Sequence, residues 1–270
     1  MLTDGAAAVK MCAVTPPSLA AGARRPLVRR FVAELVGTGL LVAVVIGSGI
    51  AAVRLSPHDV GLQLLENSLA TIFGLAVLIT MLGPVSGAHL NPVVSFADWW
   101  LGRGTGGLTL SEAGQYSVAQ VVGAILGAVL ANAMFGVGTA VSTTSRTGGG
   151  LLLGEVVATA GLVALIFALA RTGRAALAAP AVGAWIGAAY WFTSSTSFAN
   201  PTVTIGRVFT NTFAGIAPGS VAPFVAAQAL GAVFGIAAVV GLYPAGAREH
   251  PPVAEPRADT AEALTAGIPA

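Results

Sequence analysis

The sequence predicts an all-α membrane protein with six transmembrane helices and two re-entrant half-helices in an inverted repeat. Three observations predict it. Of 270 residues, 55% are hydrophobic and only 9% are charged, whereas a soluble domain carries roughly 25% charged residues. The mean hydropathy, +0.83, points the same way. Six apolar stretches are each long enough for a hydrocarbon core, which needs about 20 residues. Finally, three short markers recur in the same order in both halves of the chain.

The composition also excludes other classes. Disordered chains are polar and charge-rich, which this one is not. No nucleic-acid partner is expected, because the net charge is only +2 and the arginines fall in loops. A single cysteine, Cys12, excludes a disulfide framework and a multi-cysteine metal site. No nucleophile–base pair or metal constellation stands out, so neither an enzyme nor a bound metal or cofactor is expected.

In chain order, residues 1–30 read as a cytoplasmic tail. Lys10 and Pro16-Pro17 interrupt the segment, and no apolar region leads to a cleavage site. The spans follow at 31–53, 62–83, 112–135, 151–170, 177–195 and 222–243. All are rich in Leu, Val, Ala and Gly and none alternates with period two, which favours helices over a β-barrel. Residues 244–270, rich in Ala, Pro and Glu, read as a disordered tail. Lys10, Arg24, Arg25, Arg29, Arg30, Arg103, Arg171, Arg174, Arg248 and Arg257 all fall on one side, against Arg54, Arg146 and Arg207 on the other. The positive-inside bias therefore places both termini in the cytoplasm.

The repeats cover 31–135 and 151–243. Ala33-Glu34-Leu35-Val36 opens the first span and Gly154-Glu155-Val156-Val157 the fourth. Ser86-Gly87-Ala88-His89-Leu90-Asn91-Pro92-Val93-Val94-Ser95 follows the second, and Ser195-Thr196-Ser197-Phe198-Ala199-Asn200-Pro201-Thr202-Val203-Thr204 the fifth. Gln120 and Gln228 then start matching segments 29 and 28 residues after the asparagines. Three spans per half is an odd number, so the halves have opposite orientations, an arrangement that builds a site near the midplane from short or broken helices.

Asn-Pro is a helix start: Asn is a good N-cap and Pro suits the first helical position. The segments after Pro92 and Pro201 have about 8–10 residues, roughly 12–15 Å, too short to cross alone. Entering from opposite faces, they meet as two half-helices with their positive dipole ends at the midplane, which repels cations. Each asparagine can cap its helix through its oxygen and still offer N–H donors to a passing molecule. Glu34 and Glu155 are the carboxylates inside the first and fourth spans. A charge there needs partners; either they relay protons, or they accept N–H bonds from the turns before the half-helices. Their symmetric placement favours the second role. Gly123/Gly127 and Gly231/Gly235 read as small-residue packing faces. His89 reads as holding the first turn rather than binding metal.

These features together resemble the aquaporin family of major intrinsic proteins, with Ser86-Gly87-Ala88-His89-Leu90-Asn91-Pro92 the most specific string. The resemblance covers 31–243. It implies a homotetramer in the lipid of a bacterial plasma membrane, one pore per subunit, and passive conduction of water or small neutral solutes. It also exposes departures. The family's Asn-Pro-Ala is Asn91-Pro92-Val93 and Asn200-Pro201-Thr202 here, placing Val93 and Thr202 beside Asn91 and Asn200 at the narrow midplane. The arginine that normally follows the second signature is Val203. Counting back without gaps, the other filter positions are Thr71, Ala188 and Ser197. Such a filter is expected to be wide and uncharged. Members with valine at this place resemble those associated with arsenic resistance, so arsenite or methylated arsenicals join glycerol and urea as expected cargo. Arg207 lies four residues beyond Val203, about 6 Å further out on the same helical face. It either carries charge in the vestibule or snorkels to the interface. The competing class is an ion-coupled secondary transporter, which requires midplane carboxylates facing the pathway, with Glu34 and Glu155 as the candidates.

Overall fold

The computed structural model describes residues 25–244, so the expected tails lie outside the described residues except for 25–30 and 244. Eight α-helices follow in order: α1 Leu27–Leu55, α2 Val60–Ser86, α3 Pro92–Leu101, α4 Leu110–Met134, α5 Gly149–Arg171, α6 Ala178–Phe192, α7 Pro201–Gly206 and α8 Pro218–Leu242. Short 3₁₀ turns at Ala175–Leu177 and Arg207–Phe209 precede α6 and extend α7. The six long helices match the six expected spans. Most run beyond them, and α1 begins at Leu27, inside the expected tail. The fifth span is shorter than 177–195, because the chain leaves the helix at Thr193 for the second re-entrant turn. The second half-helix has only six α-helical residues plus its 3₁₀ turn, against ten in the first.

Local chemistry sets the ends. Asp59 caps α2 by accepting from Leu62 N at 2.8 Å. Thr109 and Glu112 form a reciprocal capping box at the start of α4. Pro92, Pro201 and Pro218 occupy first-turn positions, where a missing N–H removes no bond. Gly87, at φ +90°, ends α2 in the left-handed conformation.

Two helix pairs, α1 with α4 and α5 with α8, form the most extensive contacts, and the recurring glycines explain why. A Cβ on Gly123 or Gly127 would lie 2.1 Å from the carbonyl oxygen of Leu35 or Gly39. In the second half, a Cβ on Gly231 or Gly235 would lie 2.5 or 2.6 Å from the oxygen of Val156 or Ala160. Only hydrogen fits between these backbones. Many large apolar side chains, among them Phe73, Val77, Leu126 and Val233, face outward, the lipid-facing surface a spanning bundle needs. With three spans per half, α3 runs from the interior to the face carrying both described chain ends. α7 runs to the opposite face, and the two half-helices meet inside.

Candidate functional site

The site begins with two turns that have no regular structure. Gly87, Ala88 and Leu90 before Asn91, and Thr196, Ser197 and Ala199 before Asn200, all hold positive φ. Five of these six residues are not glycine, so both turns are strained. Carboxylates hold them. Glu34 accepts from Ser86 Oγ, His89 N, Leu90 N and Gln120 Nε2 at 2.6–3.0 Å. Glu155 accepts from Phe198 N, Ala199 N and Gln228 Nε2 at 2.7–2.8 Å. The glutamines also tie to the half-helices, Gln120 through Ser95 and Gln228 through Thr204. Glu34 and Glu155 are fully buried behind the turns and neither lines the central cavity. They satisfy the structural requirement and do not face the pathway as an ion-coupled transporter would require.

Peptide planarity converts this into a lumen surface. In a trans peptide the C=O points opposite to the next residue's N–H. With the N–H groups of His89, Leu90, Phe198 and Ala199 drawn back to the glutamates, the carbonyls of Ala88, His89, Ser197 and Phe198 turn the other way. All four residues line the cavity.

The asparagines lock the halves together. Asn91 Oδ1 accepts from Val93 N, while Asn91 Nδ2 donates to Ala199 O at 2.8 Å. Asn200 Oδ1 accepts from Thr202 N and Oγ1, while its Nδ2 donates to Leu90 O at 2.7 Å. One amide N–H of each is thus spent on the opposite turn, and one remains for the cavity both residues line. His89 Nδ1 pairs with Ser95 Oγ at 3.1 Å, and its ring meets Tyr116 edge-on at 5.5 Å.

The cavity holds about 70 Å³, room for on the order of five waters at roughly 10–15 Å³ each. Its walls are mainly aliphatic. Leu41 and Val45 of α1 recur as Leu162 and Ile166 of α5, and Val94 and Val203 enter from the half-helices. Among the described residues no carboxylate lines it. Thr71, Ser197 and Val203 line it as the residue count expects.

Several expected residues are placed elsewhere. Ala188 faces outward, and the α6 stripe that faces the lumen is Val182, Ile186 and Tyr190. Two residues turn a helix by about 200°, so a two-residue slip in the count moves a position from lumen to lipid. Val93 and Thr202 do not line the cavity. Val93 packs with Ala97, Val163 and Phe167 behind α3, and the Thr202 hydroxyl is bound to Asn200. Arg207 does not snorkel. It is 4% exposed and lines the cavity, with Nε donating to Ala214 O and its guanidinium carbon 3.5 Å from the Phe198 ring centroid. Residue counting missed Tyr190, Val94 and Phe198; the i, i+4 spacing of Val182, Ile186 and Tyr190 was the signal for the first.

The comparisons with known proteins agree with this geometry. The pattern of the major intrinsic protein family matches residues 23–198. The chain is 51% identical over 212 residues to aquaglyceroporin AqpS of Rhizobium meliloti (strain 1021), covering 78% of this chain and 88% of that protein. It is 32% identical over 238 residues to aquaporin TIP2-3 of Zea mays, covering 83% and 93%. The X-ray structure of the aquaglyceroporin from Plasmodium falciparum shares the fold, with a TM-score of 0.55 at 21% identity over 77% of this chain and 94% of that one. With two half-helices clasped through Asn91 and Asn200 around a lumen that no carboxylate lines among the described residues, this chain belongs to the major intrinsic protein family and is a passive membrane channel for water and small neutral solutes.

Proposed function

We propose that this is a broad channel, passing small neutral polar solutes such as glycerol, urea and the neutral hydroxide form of arsenite or its methylated derivatives alongside water. The observation that carries the reading is the lumen surface. Aliphatic side chains share the lining with Asn91, Asn200, Thr71, Tyr190, Ser197 and Arg207 and with the residues whose carbonyls turn inward. Those polar groups offer both donors and acceptors, which suits a molecule that does both, while the aliphatic side chains tolerate carbon or a methyl group. Val203, in place of a bulkier cation, takes up less of the lumen beside Asn200. The name aquaglyceroporin borne by the relative at 51% identity fits the same class. We place the protein in a bacterial plasma membrane with both termini in the cytoplasm, on the strength of ten of thirteen basic residues falling on that side. The apolar outer surface is consistent with a homotetramer of separate pores.

Osmotic stopped flow on proteoliposomes tests the solute range, comparing water with glycerol, urea and arsenous acid. Solute flux well above that of empty vesicles is expected, and fast water without solute would refute the broad reading. Val203→Arg is expected to restrict the larger solutes and spare water.

A further inference from the structure

We propose that Trp99, Trp100 and Arg103, at the outer end of the first half-helix, hold the phosphate of an anionic phospholipid from the surrounding bilayer. α3 begins beside Asn91 in the interior and has ten residues, about 15 Å at 1.5 Å per residue. Half of a hydrocarbon core about 30 Å thick is the same distance, so α3 ends where acyl chains meet headgroups. Tryptophan is the residue that favours this level. α3 packs on α4 and α8 but leaves one side open: Phe96 and Trp100, one helical turn apart, are 39% and 50% exposed. An acyl chain can lie on that apolar side with its headgroup level with Arg103.

Arg103 rests against both indoles. Its guanidinium carbon lies 4.2 Å from the Trp99 ring centroid and 3.9 Å from that of Trp100, and the two rings meet edge-on at 5.9 Å. Trp99 is packed in turn against the buried cluster of Leu108, Ala113 and Tyr116, so the platform is built before a ligand arrives. Cation–π attraction fixes the guanidinium without using its N–H donors, which remain for the bidentate pairing that arginine makes with phosphate. Among the described residues, none accepts a hydrogen bond from Arg103 or from either indole N–H. The acids of α3 and α4 are engaged elsewhere: Asp98 accepts from Leu108 N at 2.7 Å, and Glu112 pairs with Arg30. The charge on Arg103 is therefore not cancelled by an ion pair within the protein. A headgroup whose phosphate is its whole charge, such as phosphatidylglycerol, matches it. A zwitterionic headgroup brings an ammonium toward the same cation.

Native mass spectrometry of the purified protein tests this by measuring affinity for phosphatidylglycerol and phosphatidylcholine. The proteins compared are wild type, Arg103→Gln, Arg103→Lys and Arg174→Gln, the last an exposed arginine away from the two indoles. Water flux in proteoliposomes checks that each is folded. Wild type is expected to prefer phosphatidylglycerol. Arg103→Gln is expected to weaken that binding on the order of fivefold, the factor for about 1 kcal/mol per basic residue at an anionic surface. Arg103→Lys keeps the charge but not the planar fork and is expected to fall between, whereas Arg174→Gln is expected to bind as wild type. Equal affinity for the two lipids, or equal losses in Arg103→Gln and Arg174→Gln, would overturn the inference. Displacement of the lipid by inorganic phosphate would overturn it too, since the site would then serve a free anion. None of these readouts depends on which solutes the channel passes.

Discussion

Replacing Glu155 with glutamine separates the two roles open to a buried carboxylate. In the folded chain Oε1 accepts from Phe198 N, and Oε2 accepts from Ala199 N and Gln228 Nε2. Glutamine keeps the shape but turns one acceptor into an NH₂ group that faces a donor. In the more favourable of its two orientations it retains the two partners of Oε2 and leaves the N–H of Phe198 buried and unpaired, at about 1–3 kcal/mol. The two retained bonds fall from charge-assisted to neutral strength, roughly another 0.5–1.5 kcal/mol each. The sum is on the order of 2–6 kcal/mol, a large part of the roughly 5–15 kcal/mol that holds an ordinary domain together. The loss falls on a turn already holding Thr196, Ser197 and Ala199 at positive φ, so that turn is expected to relax first.

Thermal unfolding in detergent and water permeability per folded protein in proteoliposomes provide the assay. Glu155→Gln is expected to lower the melting temperature substantially and reduce water flux. Glu34→Gln, with four partners to disturb, should do at least as much harm. An opposite result would refute the reasoning: wild-type melting and water flux, with loss only of uptake driven by a proton gradient. Such a protein would be using Glu155 as a relay.

Arg207→Ala removes the buried guanidinium from the lumen and from the face of Phe198, so the ratio of water to glycerol permeability is expected to change while the protein remains folded. An unchanged ratio would show that the cation, although it lines the cavity, does not act on the solute. Gly127→Leu would drive a side chain into the backbone of Gly39, 2.1 Å from the position of its Cβ. It is expected to abolish folded protein in detergent, as judged by size-exclusion chromatography, since overpacking against a rigid backbone costs about 1–3 kcal/mol or more. Gly114→Ala, with nothing within 4 Å of its new methyl, is the control and is expected to behave as wild type.

What the sequence displays is what repeats. Glu34 and Glu155, the Asn-Pro pairs and the paired glycines are each duplicated, and duplication marks residues that the scaffold needs at fixed places. Their partners turn out to be duplicated as well: Gln120 and Gln228 hold the glutamates, and Ser95 and Thr204 hold the glutamines. The lumen was less legible. Counting from Asn91 picked Thr71, which lines the cavity, because α2 keeps its helical phase up to the turn. Counting from Asn200 put Ala188 where Tyr190 stands, because the chain leaves α6 at Thr193 and the intervening turn has no fixed rise per residue. For Val93 and Thr202 the motif was right but the direction was not. The first residues of a half-helix surround its axis, and only the one three beyond each asparagine, Val94 or Val203, faces inward. Of the two places open to Arg207, the pathway and the interface, it takes the first, because the Phe198 ring and the Ala214 carbonyl hold it inside, which nothing local in the sequence shows.

The two halves are symmetric in backbone bonding and asymmetric in chemistry. Behind the first turn, His89 meets Tyr116 edge-on at 5.5 Å; behind the second, the equivalent pair is Phe198 and Phe224 at 5.2 Å. The first pair belongs to a closed polar chain, with Arg30 donating to Tyr116 and paired with Glu112 at 2.7 Å. Its charge is cancelled within the protein. The second pair is apolar, and both Arg207 and Arg146 lie over the Phe198 ring, at 3.5 and 5.0 Å. Neither is paired with a carboxylate among the described residues. Their donors reach backbone carbonyls at 213–215, and Arg207 keeps its charge on the lumen surface. Behind the first turn the arginine is therefore paired with a carboxylate, and behind the second the two arginines rest on a ring and on carbonyls. A cation that entered would meet Arg207 toward one face and both half-helix N-termini at the midplane, whereas a neutral molecule would meet hydrogen-bond donors. The inverted repeat supplies one pathway with two similar turns, and the unmatched residues Tyr190, Ser197 and Arg207 on its lining make the two halves chemically unlike.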